Sequence, residues 1–95
     1  MQDNEDAELL EINKEILLKA IGKVVKRERQ KLNIGINKFS YEYDIGNGLL
    51  SYLERGVSDV KITTLWKLAN AFNMSFSDFA KEIEKSLPEN FCFYK

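Results

Sequence analysis

The segment from Ile36 to Gly56 constrains the fold most, because two apolar patterns with helical spacing meet there at a short turn signal. The first apolar stripe consists of Phe39 and Tyr43. The second stripe consists of Leu49, Leu50 and Leu53. Residues 44–46 interrupt both stripes, since Asp and Gly are typical of turns. The pattern predicts two short helices joined by a tight turn.

The composition of the turn supports this prediction. Two helices that meet at a steep angle within a few residues need one backbone position in the left-handed region, and Asp44 tolerates that region better than most residues. Ile45 is expected to fill the space between the helices, and Ser40 is small enough to let them approach. Together these features predict a helix-turn-helix unit.

The sequence before this unit has helical periodicity. Apolar residues recur from Leu9 to Leu32 on more than one side of a helix, which predicts one long helix, or two with a break near Asn13. Asn33 is suited to the left-handed stop of that helix.

The sequence after the unit predicts two more helices. Residues 63–72 carry apolar side chains at core spacing, with Trp66 at the edge of the stripe. Ser75 and Asp78 form a capping box at the start of a fifth helix, which should end at Pro88.

The charge of the chain is small overall but strongly segregated. The formal net charge is −1. Residues 1–19 contain six acidic residues and two lysines, a net charge of −4, whereas residues 22–38 contain six basic residues and one glutamate, a net charge of +5. The basic block lies just before and inside the first helix of the pair, where it could meet phosphates.

The residues from Ile45 to Gly56, Ile-Gly-Asn-Gly-Leu-Leu-Ser-Tyr-Leu-Glu-Arg-Gly, are followed by Ile-Thr-Thr-Leu at 62–65 and Leu-Ala-Asn-Ala-Phe at 68–72. This pattern resembles the Cro and phage-repressor type of helix-turn-helix domain, an XRE-like family, over about residues 21–83. The resemblance implies an all-α, five-helix repressor-like DNA-binding domain whose third helix enters the major groove. Gly35 and Ile36 depart from the family, which usually has a Ser or Thr cap and a phosphate-contacting Gln there.

The third helix, predicted from Gly46 to Glu54, carries the candidate base-reading surface. With Leu50 and Leu53 turned inward and Leu49 partly so, the residues that face outward are Asn47, Gly48, Ser51 and Tyr52. An Asn can form paired hydrogen bonds with adenine, and a Gly allows close approach to DNA. Candidate phosphate-contacting residues, some of them implied by the resemblance, are Lys26, Arg27, Lys38, Gly46, Arg55, Ser58 and Lys61. Glu54 is expected to be structural, bonding to the backbone or to Arg55.

We divide the chain into an acidic N-terminal helical extension (1–14), the helix-turn-helix domain (15–87) and a short aromatic C-terminal tail (88–95). The tail has three aromatic residues within four positions, Phe91, Phe93 and Tyr94. Such a tail is expected to dock on its own domain or on a second subunit. The apolar residues of the extension also need a cover, and a homodimer satisfies both requirements.

The composition argues against several other classes of protein. The chain has no histidine, one cysteine (Cys92) and no phosphate-binding loop, so we expect no enzyme activity, metal, cofactor or small-molecule ligand. It has no apolar run long enough to span a membrane, and its N-terminus is acidic where a secretory signal would be basic. We therefore expect a cytoplasmic protein of one domain without membrane association.

Two functions are compatible with these features. The first is a sequence-specific DNA-binding regulator of the repressor type that binds double-stranded DNA as a homodimer. The second is a protein-interaction module that keeps the helix-turn-helix fold but does not bind DNA. The departures at Gly35 and Ile36 and the net charge of −1 motivate the second.

Overall fold

The computed structural model describes residues 4–94, with side chains from Asp6 onward. The described residues form five α-helices and no strand, which confirms the predicted all-α class. The helices are α1 (Asn4–Lys31), α2 (Ile36–Glu42), α3 (Asn47–Glu54), α4 (Ile62–Ala71) and α5 (Phe76–Lys85). None of these helices is long and apolar enough to cross a lipid bilayer.

The long first helix sets the shape of the molecule. α1 is continuous through Asn13, so of the two alternatives the single helix is correct. Its 28 residues span about 42 Å at 1.5 Å per residue, close to the 46 Å length of the molecule. Residues 1–3 of the predicted extension lie outside the described residues, and residues 4–14 continue the helix that enters the domain.

One hydrophobic core joins all five helices. α1 packs against α3 and α5, α2 packs against α3, and α4 packs against α5. The largest fully buried side chains are Phe39, Phe79, Leu50, Leu53 and Leu68. Each such side chain contributes about 1.5–3 kcal/mol relative to leaving it in water. Of the apolar stripes predicted for α2 and α3, Phe39, Leu50 and Leu53 therefore face the core, Tyr43 is half-buried, and Leu49 is 39% exposed.

The turns confirm the predicted backbone signals. Asn33, Asp44 and Gly56 have φ angles of 56°, 52° and 72°, so each occupies the left-handed region at the end of a helix. Ile45 is buried between the helices, as expected. The start of α3 differs by one residue from the prediction, because Gly46 has φ −54° and ψ 135° and is the residue that caps the helix.

The ends of the last two helices differ by one to three residues from the prediction, and α5 ends at Lys85, before the expected stop at Leu87-Pro88. α4 begins at Ile62 and ends at Ala71, one residue earlier at each end than expected. The Ser75 hydroxyl accepts a hydrogen bond from the Asp78 amide at 3.1 Å, which confirms the forward bond of the capping box. The exposed ring of Trp66 stacks on Phe76 with 4.7 Å between ring centroids.

The aromatic tail lies along the N-terminal half of its own α1. The Asn13 amide donates a hydrogen bond to the carbonyl oxygen of Cys92 at 3.2 Å. Phe91 and Phe93 are half-buried and meet edge to face at 5.6 Å, whereas Tyr94 is 70% exposed. The tail therefore docks on its own domain, one of the two placements expected from the sequence.

Candidate nucleic-acid interface

The outward face of α3 is the candidate base-reading surface. Leu50 and Leu53 are buried, so the helix cannot turn its other side to the core. The predicted base-reading residues lie on the opposite side: Asn47, Gly48 and Tyr52 are exposed, and Ser51 is half-buried. A Cβ atom built on Gly48 meets nothing within 4 Å, so the backbone is open to a close partner there.

Asn47 is held by a residue that the sequence did not point to. Its Nδ2 donates a hydrogen bond to Oδ1 of Asn37, in the first turn of α2. The bond uses one of the two amide hydrogens of Asn47 and leaves its Oδ1 and its second hydrogen. One acceptor and one donor are what a paired bond to adenine needs. The contact with Asn37 therefore restrains the Asn47 amide and leaves it one donor and one acceptor.

Tyr52 and Arg55 form a second pair on this side of the molecule. The Arg55 guanidinium lies 4.8 Å from the centroid of the Tyr52 ring. At an exposed site such a cation–π contact contributes about 0.5–1 kcal/mol. The contact restrains both side chains near the end of α3, while the charge of Arg55 stays exposed to solvent.

The predicted phosphate-contacting residues of α1 differ in how free their charges are. Lys26 is exposed, and the described residues hold no ion pair to it. Arg27 donates to Glu28 at 3.0 Å and to Glu82 of α5 at 2.9 Å, so its charge is already paired. Of the two, Lys26 is the stronger candidate for a phosphate contact.

The other predicted phosphate-contacting residues lie on α2, at the start and end of α3, and before α4. Lys38 is exposed, with its Nζ 3.9 Å from a Glu42 carboxylate oxygen. Gly46 and Lys61 are exposed residues at the N-terminal caps of α3 and α4. The Ser58 hydroxyl donates to the Asp59 carbonyl oxygen at 3.1 Å.

The end of α3 is fixed to α1 by a close backbone approach. A Cβ atom on Gly22 would lie 2.5 Å from the Leu53 carbonyl oxygen and 2.7 Å from that of Glu54. Since real Cβ atoms do not come so close to backbone oxygens, a larger residue would push the two helices apart. The sequence analysis did not identify this role of Gly22.

A buried ion pair also connects α1 to α3. The Arg29 guanidinium donates to both carboxylate oxygens of Glu54, at 2.6 and 2.9 Å, and to the Ile34 carbonyl oxygen at 2.8 Å. Glu54 is structural, as expected, but its partner is Arg29 rather than Arg55. The hydrogen bonds with Glu54 raise the pKa of Arg29 despite its burial. Arg29 therefore anchors α3 and does not add to the exposed basic surface.

The acidic residue of the basic block is also paired. Burial raises the pKa of Glu28, but hydrogen bonds from Lys31 and Arg27 outweigh that effect, and the net pKa lies below its ordinary value. Glu28 is therefore a carboxylate at neutral pH, and it neutralises part of the positive charge that the sequence places in this helix.

Comparison with known proteins identifies the fold family. A family model described as helix-turn-helix matches residues 25–79, which include α2, α3 and α4. The chain belongs to this helix-turn-helix family. The match confirms the resemblance to the Cro and phage-repressor type.

The relatives of this helix-turn-helix protein include regulators of transcription. It is 26% identical over 74 residues to the HTH-type transcriptional regulator SutR of Escherichia coli (strain K12). That alignment covers 78% of this chain but 42% of the relative, so the chain spans less than half of that regulator's length.

Two solved structures share the fold. Two crystal structures of the clp gene regulator ClgR from Corynebacterium glutamicum match with TM-scores of 0.67 and 0.68 at 26% and 25% identity. The matches cover 74% and 76% of this chain, and 74% and 92% of the ClgR chains. The helix-turn-helix arrangement described above is therefore shared with proteins named as gene regulators.

No three residues among His, Cys, Asp and Glu are grouped so that they could hold a metal ion in the range 4–94. The family and the relatives are regulators of transcription rather than enzymes.

Proposed function

We propose that this protein is a sequence-specific DNA-binding regulator of transcription, of the repressor type, that inserts α3 into the major groove. The observation that carries the proposal is the outward face of α3, where Asn47, Gly48 and Tyr52 are exposed on a helix anchored from behind. A rigid helix with a polar outer face fits the width of the major groove. Family membership and the regulator relatives support the same function.

In this proposal the side chains have distinct roles. Asn47 bonds to a base edge, with Asn37 fixing the plane of its amide, and Ser51 and Tyr52 read neighbouring positions. Lys26, Lys38, Arg55 and Lys61, together with the Gly46 amide and Ser58, contact phosphates. Arg27 contributes less, because Glu28 and Glu82 already neutralise it.

Base readout is tested by fluorescence anisotropy on a duplex selected from a random oligonucleotide pool. Asn47→Ala should lose about 1–3 kcal/mol of discrimination at one base pair. Asn70→Ala is the matched control, since Asn70 is an exposed residue of α4. Equal preferences for the same sequence in the wild type and in Asn47→Ala would remove Asn47 from the base-reading surface.

Phosphate contact is tested by the salt dependence of the same binding reaction. A residue that neutralises one phosphate contributes about 0.9 to the slope of log K against log salt. Lys26→Ala should lower the slope by about that amount, and Arg27→Ala by less. Lys81→Ala, an exposed lysine of α5, is the control and should leave the slope unchanged. A slope that Lys26→Ala does not alter would exclude Lys26 from the phosphate contacts.

The second candidate is a protein-interaction module with this fold. The overall charge of −1 and the paired state of Arg27 and Arg29 favour it, because both reduce the attraction for DNA. Retention on heparin at low salt discriminates between the two candidates. A regulator that binds DNA is retained and elutes as salt rises, whereas an interaction module passes through.

We also propose that the regulator binds as a homodimer. Two copies on one duplex would place two α3 helices in successive major grooves, about 34 Å apart. A selected binding site with two-fold symmetry is the expected result, and a selected site with a single asymmetric half would oppose it.

A further inference from the structure

A stripe of residues runs along the outer side of α1 and changes from apolar to basic. Its members follow one another at steps of three and four residues, the spacing of a helix–helix seam: Leu9, Ile12, Ile16, Lys19, Lys23 and Lys26. We call these six residues the α1 seam. Ile12 is 52% exposed, Leu9 and Ile16 are half-buried, and the three lysines are exposed.

The neighbouring elements leave Ile12 open and cover part of the seam: Leu9 and Ile16 are half-buried, and a Cβ atom on Gly56 would lie 2.8 Å from Cα and Cγ of Lys19. On the opposite side of α1, the Lys14 ammonium lies 4.0 Å from Asp59 in the loop before α4. On one flank of the seam, the Asn13 side chain holds the aromatic tail. An open groove of about 340 Å³ lies between α1 and the tail, with Leu9, Ile16, Phe91 and Tyr94 among its walls. The groove extends the apolar part of the seam, so the exposed apolar surface is larger than Ile12 alone.

We propose that this surface binds a second copy of the chain, with the two α1 helices antiparallel. The inference rests on the homodimer of the proposed function and names its contact surface. Centred midway between Ile12 and Ile16, the arrangement pairs each Ile12 with the partner's Ile16 and brings Leu9 beside the partner's Lys19. The apolar parts of two seams then cover each other.

The charges of the seam favour a second copy of the chain in the antiparallel orientation. Glu8 is exposed, precedes Leu9 and would lie beside the ammonium of the partner's Lys19, whose aliphatic stem would cover Leu9. Neither Glu8 nor Lys19 has an ion-pair partner among residues 4–94. A parallel arrangement would instead set Lys19, Lys23 and Lys26 against their own copies, and like charges at a seam repel. The surface is thus self-complementary in one direction only.

The arrangement leaves α3 accessible. Gly22 is not part of the seam and meets the end of α3. The antiparallel arrangement pairs residues 9–19 of the two copies, so Lys26, a candidate phosphate contact, lies beyond the paired segment and both candidate base-reading faces stay uncovered.

Sedimentation velocity of the full chain without DNA tests the proposal. The wild type should show a concentration-dependent monomer–dimer equilibrium, and Ile12→Glu should raise the dimer Kd about tenfold or more, because it buries charge at the centre. Ile62→Glu is the matched control, since Ile62 is an isoleucine of α4 with 56% exposure. Circular dichroism of both variants shows that they remain helical.

The direction is tested with two charge reversals. Glu8→Lys and Lys19→Glu should each weaken self-association, and an equimolar mixture of the two variants should form a heterodimer at least as stable as the wild-type dimer. In a parallel pair, Glu8 of one copy and Lys19 of the other are eleven residues apart along the helices, about 16 Å. Mixing the two variants would then not restore self-association.

Several outcomes would overturn the inference: a wild type that stays monomeric at every concentration, a larger effect of Ile62→Glu than of Ile12→Glu, or a mixture that does not associate. A monomeric chain that still binds DNA selectively would leave the proposed DNA binding intact. A dimer that heparin does not retain would instead contradict the proposed DNA binding and leave the α1 seam supported.

Discussion

Replacing Glu54 by Gln should destabilise the domain severely, although Glu54 is not among the residues predicted to contact DNA. The side chains of Arg29 and Glu54 are 9% and 5% exposed, and two hydrogen bonds join them. Removing one partner of such a pair costs about 3–5 kcal/mol, because the remaining charge stays buried without its counterion. A domain of this length has a total stability of about 5–14 kcal/mol. The substitution therefore removes a large share of it.

The assay is thermal and urea unfolding followed by circular dichroism. A loss of 3 kcal/mol lowers the Tm by at least about 12 °C at 4–8 °C per kcal/mol for a domain of this size. Glu84→Gln, at an exposed position of α5, should change stability by less than about 0.5 kcal/mol.

A double variant separates the charge effect from the packing effect. Replacing both residues by apolar ones, Arg29→Met with Glu54→Leu, should recover most of the loss, because no unpaired charge remains. A cost below about 1 kcal/mol for Glu54→Gln would refute the reasoning, and so would a double variant that is less stable than Glu54→Gln.

Two further predictions concern α1. Gly22→Ala should lower the free energy of unfolding by about 1–3 kcal/mol, because its Cβ would meet the Leu53 carbonyl oxygen. Gly48→Ala in α3 is the comparison and should raise that free energy by up to about 1 kcal/mol, since its Cβ meets nothing. Equal effects of the two variants in urea unfolding would contradict this prediction. Glu28 has a lowered pKa, so its stabilising effect is complete above the ordinary glutamate pKa of about 4.3 and is lost as pH falls through the lower folded value. Glu28→Gln should therefore lose less Tm than the wild type on acidification from neutral pH to pH below 4, and parallel Tm curves for the two proteins would oppose this.

The features that could be predicted from the sequence are those decided by nearby residues. The left-handed positions at Asn33 and Asp44 depend on which side chains tolerate that region, and the structure confirms both. The cap at Ser75 likewise depends on a donor three residues away. Such signals lie within one helical turn, so spacing alone is enough to find them.

The features that escaped prediction depend on contacts between distant residues. Arg29 lies 25 positions before Glu54, and nothing in their spacing distinguishes this arginine from Arg27, which pairs instead with Glu82. The basic block is therefore less available than its composition indicates. The bond between Asn37 and Asn47 likewise depends on how α2 and α3 cross, which the sequence specifies only through the packed core.

The most direct test of the account is a map of backbone amide chemical-shift changes as the full chain is titrated with its selected duplex. The account predicts the largest changes at the start and outer face of α3, residues 46–52, and in the loop at residues 58–61. It predicts small changes along the aromatic tail and the outer side of α5. A map with the largest changes in residues 88–94 and none on α3 would contradict the claim that α3 reads DNA.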